Sequence, residues 1–284
     1  MSAKLIPLSE RDIKRILATQ LSSPFVFLET ASFDKKNHTS FLFTNFDRTI
    51  TFRPGQDIQA LFNDIEDSLN NGFWVSGYFF YEFGYFLEDA LAYLRNGADS
   101  PLVWLGLCRR PILIDHYNYQ SCVDRAEREV LSYALKDINT NISLTEYYLQ
   151  IERIKDYIRR GLTYQVNFTF KIKFELQTDV IDFYLNLRRT QPTPYMAFIN
   201  TGRDFILSFS PELFFRIENK RIITRPMKGT VSRGLSLKED KKNRDWLKNN
   251  KKIRAENVMI VDLLRNDLGK ISEKVWVLKL FEVE

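Results

Sequence analysis

At 284 residues the chain is long enough for one large domain or two of ordinary size, with a substantial core. A composition of 44% hydrophobic and 14% aromatic residues excludes a disordered chain, and no apolar run comes near the roughly 20 residues of a membrane helix. The 41 basic and 36 acidic side chains leave a net charge of +5, which suits a small anionic ligand and does not identify a nucleic-acid binder without a basic stripe or motif.

The N-terminus, MSAKLIPLSERDIKRIL, has no signal-peptide apolar block, so a cytoplasmic protein with no membrane partner is expected. Three strand candidates follow: FVFLETASF, TSFLFTNF and TITFRPG. IQALFNDIEDSLNNG reads as helix, the aromatics of GYFFYEFGYFLEDAL as core, and PLVWLGLCRRPILID as further buried strand. Residues 121–143 read as a polar connection with some helix. Ser143-x-x-Glu146 is a capping box, Tyr147, Ile151, Ile154 and Ile158 recur at helical spacing, and Gly161 ends that helix. In QVNFTFKIKF, Val166, Phe168, Phe170, Ile172 and Phe174 alternate with polar partners, which predicts a strand with one face in the core. DFILSFSPELFFRIENKRIITRP reads as a strand and a hairpin turning near Asn219-Lys220. A last helix is expected over roughly 240–268, stopping at Gly269; its basic cluster, 238–254, is interrupted by Glu239, Asp240 and Asp245 and reads as a solvated face. Runs of strands with interspersed helices favour α+β over a doubly wound fold. The absence of GxGxxG and of a P-loop excludes nucleotide folds. Cys108 and Cys122 make no disulfide framework and read as reduced thiols in or near the core. His38 and His116 alone are too few for a histidine-based zinc site or a Ser/His/Asp triad.

RIITRPMKGTVSRG raises the functional question: Lys228 sits where a strand breaks into a Gly-Thr corner. A two-residue turn at Asn219-Lys220 sets residue 212 opposite 227; a three-residue turn makes Glu212 and Lys228 diagonal neighbours, and a one-residue slip flips faces. The pair is then either a structural ion pair at a sheet end, or a general acid beside a nucleophilic lysine, with Gly229 and Thr230 N–H groups ready for a carboxylate. Glu256 lies on a largely apolar helical stripe and needs a partner. Lys252 is one candidate and a hard cation such as Mg²⁺ another, which would require further ligands.

TYQVNFTFKIKF, ILSFSPELFFRI, ITRPMKGTVSRG and AENVMIVDLLRNDLG resemble, in order and spacing, four motifs of the chorismate-utilising enzymes, among them anthranilate, aminodeoxychorismate, isochorismate and salicylate synthases. The resemblance implies an α+β sandwich of two antiparallel sheets flanked by helices. It divides the chain into an N-terminal region (1–135) and the first part of the chorismate-binding region (140–284). The Lys in PMKGT matches aminodeoxychorismate synthase component I, where anthranilate synthases carry alanine. That subgroup converts chorismate and ammonia to 4-amino-4-deoxychorismate for 4-aminobenzoate and folate synthesis. The resemblance implies that Lys228 adds to the ring, that Glu212 is the acid/base at the departing hydroxyl, and that Gly229 and Thr230 hold the ring carboxylate. It implies Glu256 as one Mg²⁺ ligand. Gln165 stands where water-adding relatives have a lysine base, which disfavours that reaction. Two departures are evident: Ile253 replaces an acid found in several relatives, and relatives continue well beyond VWVLKLFEVE with a GAPK motif, an arginine and a second Mg²⁺ glutamate. The expectation is a C-terminally incomplete enzyme, inactive alone, whose ammonia comes from a partner glutamine amidotransferase. Anthranilate synthase component I and a noncatalytic remnant that docks a partner are the alternatives.

Overall fold

The computed structural model describes residues 8–32, 37–95, 100–117 and 133–283. By compactness the chain divides into a first unit, residues 1–192 with 197–207, and a second, residues 193–196 with 208–284. The sequence division at 135–140 follows motif content and is separate from this one.

Two sheets carry the core of the first unit. One has strand order β10-β9-β1-β2-β6, from β1 (Phe25–Glu29), β2 (Thr39–Phe43), β6 (Ile112–Asp115), β9 (Tyr195–Asn200) and β10 (Phe205–Ser210). The other is β3-β5-β4, from β3 (Arg48–Phe52), β4 (Trp74–Phe79) and β5 (Val103–Cys108), with both pairings antiparallel. β5 is buried at every position, and its alternation explains why. Val103, Leu105 and Leu107 pack with Phe52, Leu61 and Phe83, while Trp104 and Cys108 pack with Val26, Phe43 and Ile199 of the first sheet. A central strand covered on both faces reads as a continuous apolar run. Helix α2 (Ile58–Asn70), capped by Asp57, covers the outer face of β5 through Leu61. Helices α1 (Glu10–Ala18) and α4 (Val180–Thr190) pack together, burying Ile13, Leu17, Ile181 and Leu185. Tyr184 of α4 lies against Phe198 of β9, ring centroids 5.3 Å apart. The fold is thus mixed α and β with antiparallel sheets flanked by helices, as expected from the sequence.

Beneath α4 lies a buried ionic cluster. Glu29, fully buried, accepts the Tyr184 hydroxyl at 2.6 Å and Arg188 Nε at 2.7 Å, while Arg188 Nη2 donates to the Leu8 carbonyl. Burial first, then the Glu29 charge, pushes the Tyr184 phenol well above its ordinary range.

Several sequence expectations are corrected. The 77–91 aromatics are core only in part: Phe83 is buried and Tyr78, Phe80 and Phe86 pack partly buried against the core, whereas Tyr81 is 83% exposed, because the chain leaves β4 for two short 3-10 turns (Tyr81–Phe86 and Asp89–Leu94) that present one side to solvent. β6 is an edge strand with Ile112 and Leu113 exposed, not a buried one. Most of the 121–143 connection, with Cys122, lies outside the described residues, and its end is a strand, β7 (Leu135–Thr140). The alternating run 165–174 is extended only in part. β8 (Ile172–Leu176) pairs with β7, and the ladder closes where Lys171 N donates to Asn141 Oδ1 and Asn141 N to the Lys171 carbonyl. There β7 gives way to α3 (Leu144–Arg159), so among the described residues 165–171 pair with no strand, and Val166, Phe170, Ile172 and Phe174 are exposed. The α3 limits are as read: Ser143 and Glu146 form both bonds of the capping box, and the helix ends in a Schellman motif with Gly161 at φ +71°.

The second unit contains a hairpin, β11 (Leu213–Glu218) and β12 (Arg221–Arg225), followed by α5 (Leu237–Asn249) and α6 (Lys251–Gly269). The single expected helix is two, because Asn250 is extended (ψ 118°) and its side chain caps α6 by accepting from Ile253 N at 3.1 Å. From Thr201 onward no described residue is fully buried. No helix among the described residues is long and apolar enough to cross a membrane.

Candidate active site

Pro211 has no N–H to give a ladder, and the chain breaks there between β10 and β11. Ser210 pins the break: its hydroxyl accepts from Glu212 N at 3.2 Å and donates to the Glu212 carbonyl at 3.1 Å. Asn219 and Lys220, at φ 48° and 63°, form the two-residue turn, so Glu218 faces Arg221 and Arg216 faces Ile223. Then Leu213 faces Arg225, which requires one extra residue in β11, at Phe214-Phe215. The bulge shifts the register by one residue, so the pairing of 212 with 227 does not hold; carried one step past Leu213, the register sets 212 opposite 226 and makes Glu212 and Lys228 diagonal neighbours, the relation expected of a three-residue turn. What the geometry achieves is a bond from Met227 N to Glu212 Oε1 at 3.2 Å, with Lys228 the next residue.

The static ion pair that this hairpin makes available is not formed. The Glu212 carboxylate is exposed and takes the Met227 N–H, and among the described residues half-buried Lys228 has no ion-pair partner. Among the described residues the N–H groups of Lys228, Gly229 and Thr230 make no hydrogen bond. Three adjacent unused donors at a sheet end suit a carboxylate.

The glycines of this stretch are explained by close approach. Gly229 has φ +77°, and a Cβ there would lie 2.5 Å from Ile253 Cγ2 on α6. A Cβ on Gly234 would lie 2.1 Å from the Asp240 backbone nitrogen on α5. Asp240 in turn accepts from Gly234 N at 3.0 Å and Arg233 Nε at 2.7 Å, and Asn243 Nδ2 donates to the Ser232 carbonyl at 2.9 Å. The Gly234 N–H, then Arg233, holds the Asp240 carboxyl below its ordinary range. Asp240, Asn243 and the packing of Ile253 were missed in the sequence. The available signal was Ser236-x-x-Glu239, a helix start placed directly after Arg233-Gly234, which brings the first turns of α5 back onto that loop.

Glu256 is half-buried on α6, with Lys252 Nζ at 3.9 Å. Among the described residues no three His, Cys, Asp or Glu side chains converge on a point that could hold a metal. One carboxylate shared with a lysine does not make a Mg²⁺ site, which needs oxygen ligands from several elements; the described residues do not fit that ion by themselves. Gln165 belongs to the first unit, where its carbonyl accepts the Thr163 hydroxyl at 3.1 Å. Glu212, Lys228, Gly229, Thr230 and Glu256 all belong to the second.

Comparison with known proteins agrees with this motif set. The chain is 37% identical over 150 residues to aminodeoxychorismate synthase component 1 of Escherichia coli, covering 52% of this chain and 33% of that one. It is 35% identical over 150 residues to anthranilate synthase component 1 of Saccharolobus solfataricus, covering 53% of this chain and 34% of the relative. The matched stretches therefore span about a third of these curated relatives. In fold the chain is similar to anthranilate synthase component I of Streptococcus pneumoniae, with a TM-score of 0.68 at 21% identity over 87% of this chain and 68% of that one. Residues 26–284, nearly the whole length and every motif described above, match the chorismate binding enzyme family, and the chain belongs to it.

Proposed function

We propose that the chain is the part of an aminodeoxychorismate synthase component I that carries its reacting side chains, acting on chorismate and on ammonia from a partner glutamine amidotransferase. The observation that carries the reading is Lys228: an amine without a counter-ion among the described residues, one residue from the N–H that holds Glu212. No partner has to be displaced before it acts. In this reading the unprotonated Lys228 nitrogen bonds to the chorismate ring, the C4–O bond breaks, and Glu212 supplies the proton with which the hydroxyl leaves as water. Ammonia then forms the C4–N bond, the ring–lysine bond breaks with its electron pair returning to Lys228, and the proton shed by the new ammonium goes back to the Glu212 carboxylate. The sum is chorismate plus ammonia to 4-amino-4-deoxychorismate plus water. The Gly229 and Thr230 N–H groups receive the ring carboxylate, and Gln165, which cannot act as a base, leaves water unactivated. Mg²⁺ enters this reading only through Glu256, as one ligand of a site that needs others, and no step is routed through it. Folate synthesis is the proposed destination of the product, and the cytoplasm the proposed compartment.

Anthranilate synthase component I is the second reading, supported by the 35% identity to the Saccharolobus relative. A noncatalytic role in docking a partner is the third, supported by the absence of fully buried residues from Thr201 onward among those described. The test is product analysis by chromatography and mass spectrometry. The chain is supplied with chorismate, ammonium and Mg²⁺, alone and together with the C-terminal part of the Escherichia coli relative. We expect 4-amino-4-deoxychorismate from the supplemented chain. Anthranilate with pyruvate overturns the assignment in favour of the second reading, and no product in either form favours the third.

A further inference from the structure

We infer that Ile253 is a positioning residue: its branched side chain, packed on the bare face of Gly229, holds the Lys228-Gly229-Thr230 corner in the conformation that presents its N–H groups and the lysine. The inference rests on the proposed function for its catalytic consequence, and on geometry alone for the positioning. Three carbons of Ile253, Cγ2, Cδ1 and Cγ1, lie 2.5, 3.0 and 3.2 Å from where a Cβ of residue 229 would be, so the side chain occupies the space that glycine leaves. Nothing polar competes with that contact, because among the described residues the three N–H groups of the corner are unbonded. Donors kept unused for a ligand give the backbone no support of their own, so packing must set its dihedral angles. Among the described residues hydrogen bonds resume on either side of the corner, from Met227 N to Glu212, from Asn243 Nδ2 to the Ser232 carbonyl and from Gly234 N to Asp240.

Ile253 is suited to this. Its own N–H is fixed by the Asn250 cap at 3.1 Å, and a β-branched side chain in a helix has one strongly preferred rotamer. Glu256 lies three residues on, on the same helical face. One rigid side chain therefore sets the spacing between the corner that carries Lys228 and the helix that carries Glu256. The contact also accounts for an apolar residue in the first turn of a helix whose neighbours, Lys251, Lys252 and Arg254, are all basic.

Gly229 is the only glycine of the chain that follows a lysine. Labelling with carbonyl-¹³C lysine and ¹⁵N glycine therefore isolates one amide resonance, that of Gly229, in the full 284-residue chain. We expect a single dispersed signal in the wild type, unmoved in Ile253→Val, which keeps both Cγ atoms. In Ile253→Ala it should move toward the random-coil glycine position or broaden. Ile253→Leu keeps the volume but loses the branch nearest Gly229, so it should displace the signal while leaving the other glycine resonances in place; it serves where the alanine variant fails to fold. In the supplemented turnover assay, Ile253→Leu should lower kcat by about 10²-fold, the scale of a small misplacement of reacting groups, with KM changed only a few-fold, and Ile253→Val should restore both. A Gly229 signal unmoved in both the leucine and alanine variants overturns the inference. A moved signal in a protein whose wild type forms no aminated product supports the positioning role and sinks the functional reading instead.

Discussion

Glu212→Gln separates proton transfer from structure, and the geometry sets both expected magnitudes. The Glu212 side chain is exposed, forms no ion pair among the described residues, and makes one bond, accepting Met227 N–H at 3.2 Å. A glutamine carbonyl oxygen can accept the same bond at the same place. What is lost is the charge on an exposed acceptor, and exposed charge interactions contribute about 0–1 kcal/mol. The substitution should therefore shift the urea midpoint only slightly and leave the denaturant slope unchanged. A general acid at the departing hydroxyl contributes about 10²–10⁴ in rate. We expect turnover of the supplemented enzyme to fall by that factor. The readouts are urea unfolding followed by circular dichroism, and product formation. Turnover within a few-fold of wild type, with a loss of stability above about 2 kcal/mol, would refute the reasoning and make Glu212 a structural anchor of Met227.

Lys228→Ala should abolish most 4-amino-4-deoxychorismate formation while leaving the melting temperature near wild type, because the ammonium has no ion-pair partner among the described residues; peptide mass spectrometry of the wild type should show a transient adduct on the peptide with residue 228. Arg188→Met removes a charged partner of fully buried Glu29 and should destabilise the first unit by roughly 3–5 kcal/mol, read by urea unfolding; a loss below about 1 kcal/mol would contradict the buried cluster. Tyr184→Phe should lose about 1.5–3 kcal/mol near neutral pH, the range for a hydrogen bond to a charged group. Because the folded phenol is raised above its unfolded value, the wild type binds more protons folded than unfolded at high pH, so its stability falls as pH rises past about 10; that additional alkaline loss should be absent in the variant. Gly234→Ala places a Cβ 2.1 Å from backbone that cannot yield, and should disrupt the 232–240 clamp, seen as faster proteolysis near Arg233.

Legibility followed the range of the interactions. Elements set by short-range rules were readable: the Ser143–Glu146 capping box, the Gly161 terminus and the Asn219-Lys220 turn depend on a handful of neighbouring residues. So was β5, whose continuous apolar run has no meaning except burial on both faces. The failures needed information the local pattern lacks. Alternation in 165–171 promised a strand, but a strand requires a partner, and among the described residues the one that pairs with this run ends at Thr140. The aromatics of 77–91 promised core, and Tyr78, Phe80, Phe83 and Phe86 supply it, but the 3-10 turn sends Tyr81 to solvent. The extra residue at Phe214-Phe215 is invisible in any pattern of hydrophobicity, yet it decides which residue meets Glu212. Lys228, Gly229 and Glu212 were legible because the stretch is odd for a surface; Ile253 was noticed as a missing acid, while its packing against Gly229 appears only once α6 is placed.

The distribution of burial bears on how such a site can work. The first unit holds the deep core, while the candidates of the second unit lie on elements with no fully buried residue from Thr201 onward. Their arrangement is held by single bonds and contacts: Ser210 on Glu212, Glu212 on Met227, Ile253 on Gly229, Asp240 on Gly234. These specify geometry well, since each fixes one residue of the corner against an element end. They do not exclude water. An exposed carboxylate and unbonded N–H groups act at high effective dielectric, where a charge–charge interaction at 4 Å is about 1 kcal/mol against about 4 kcal/mol at a protein surface of lower dielectric. Donors aimed at developing charge contribute their large share only in a water-excluded site. Orientation is thus built into this unit, whereas the electrostatic strength that the proposed chemistry needs depends on Glu212, Lys228 and the Gly229 corner being covered during turnover.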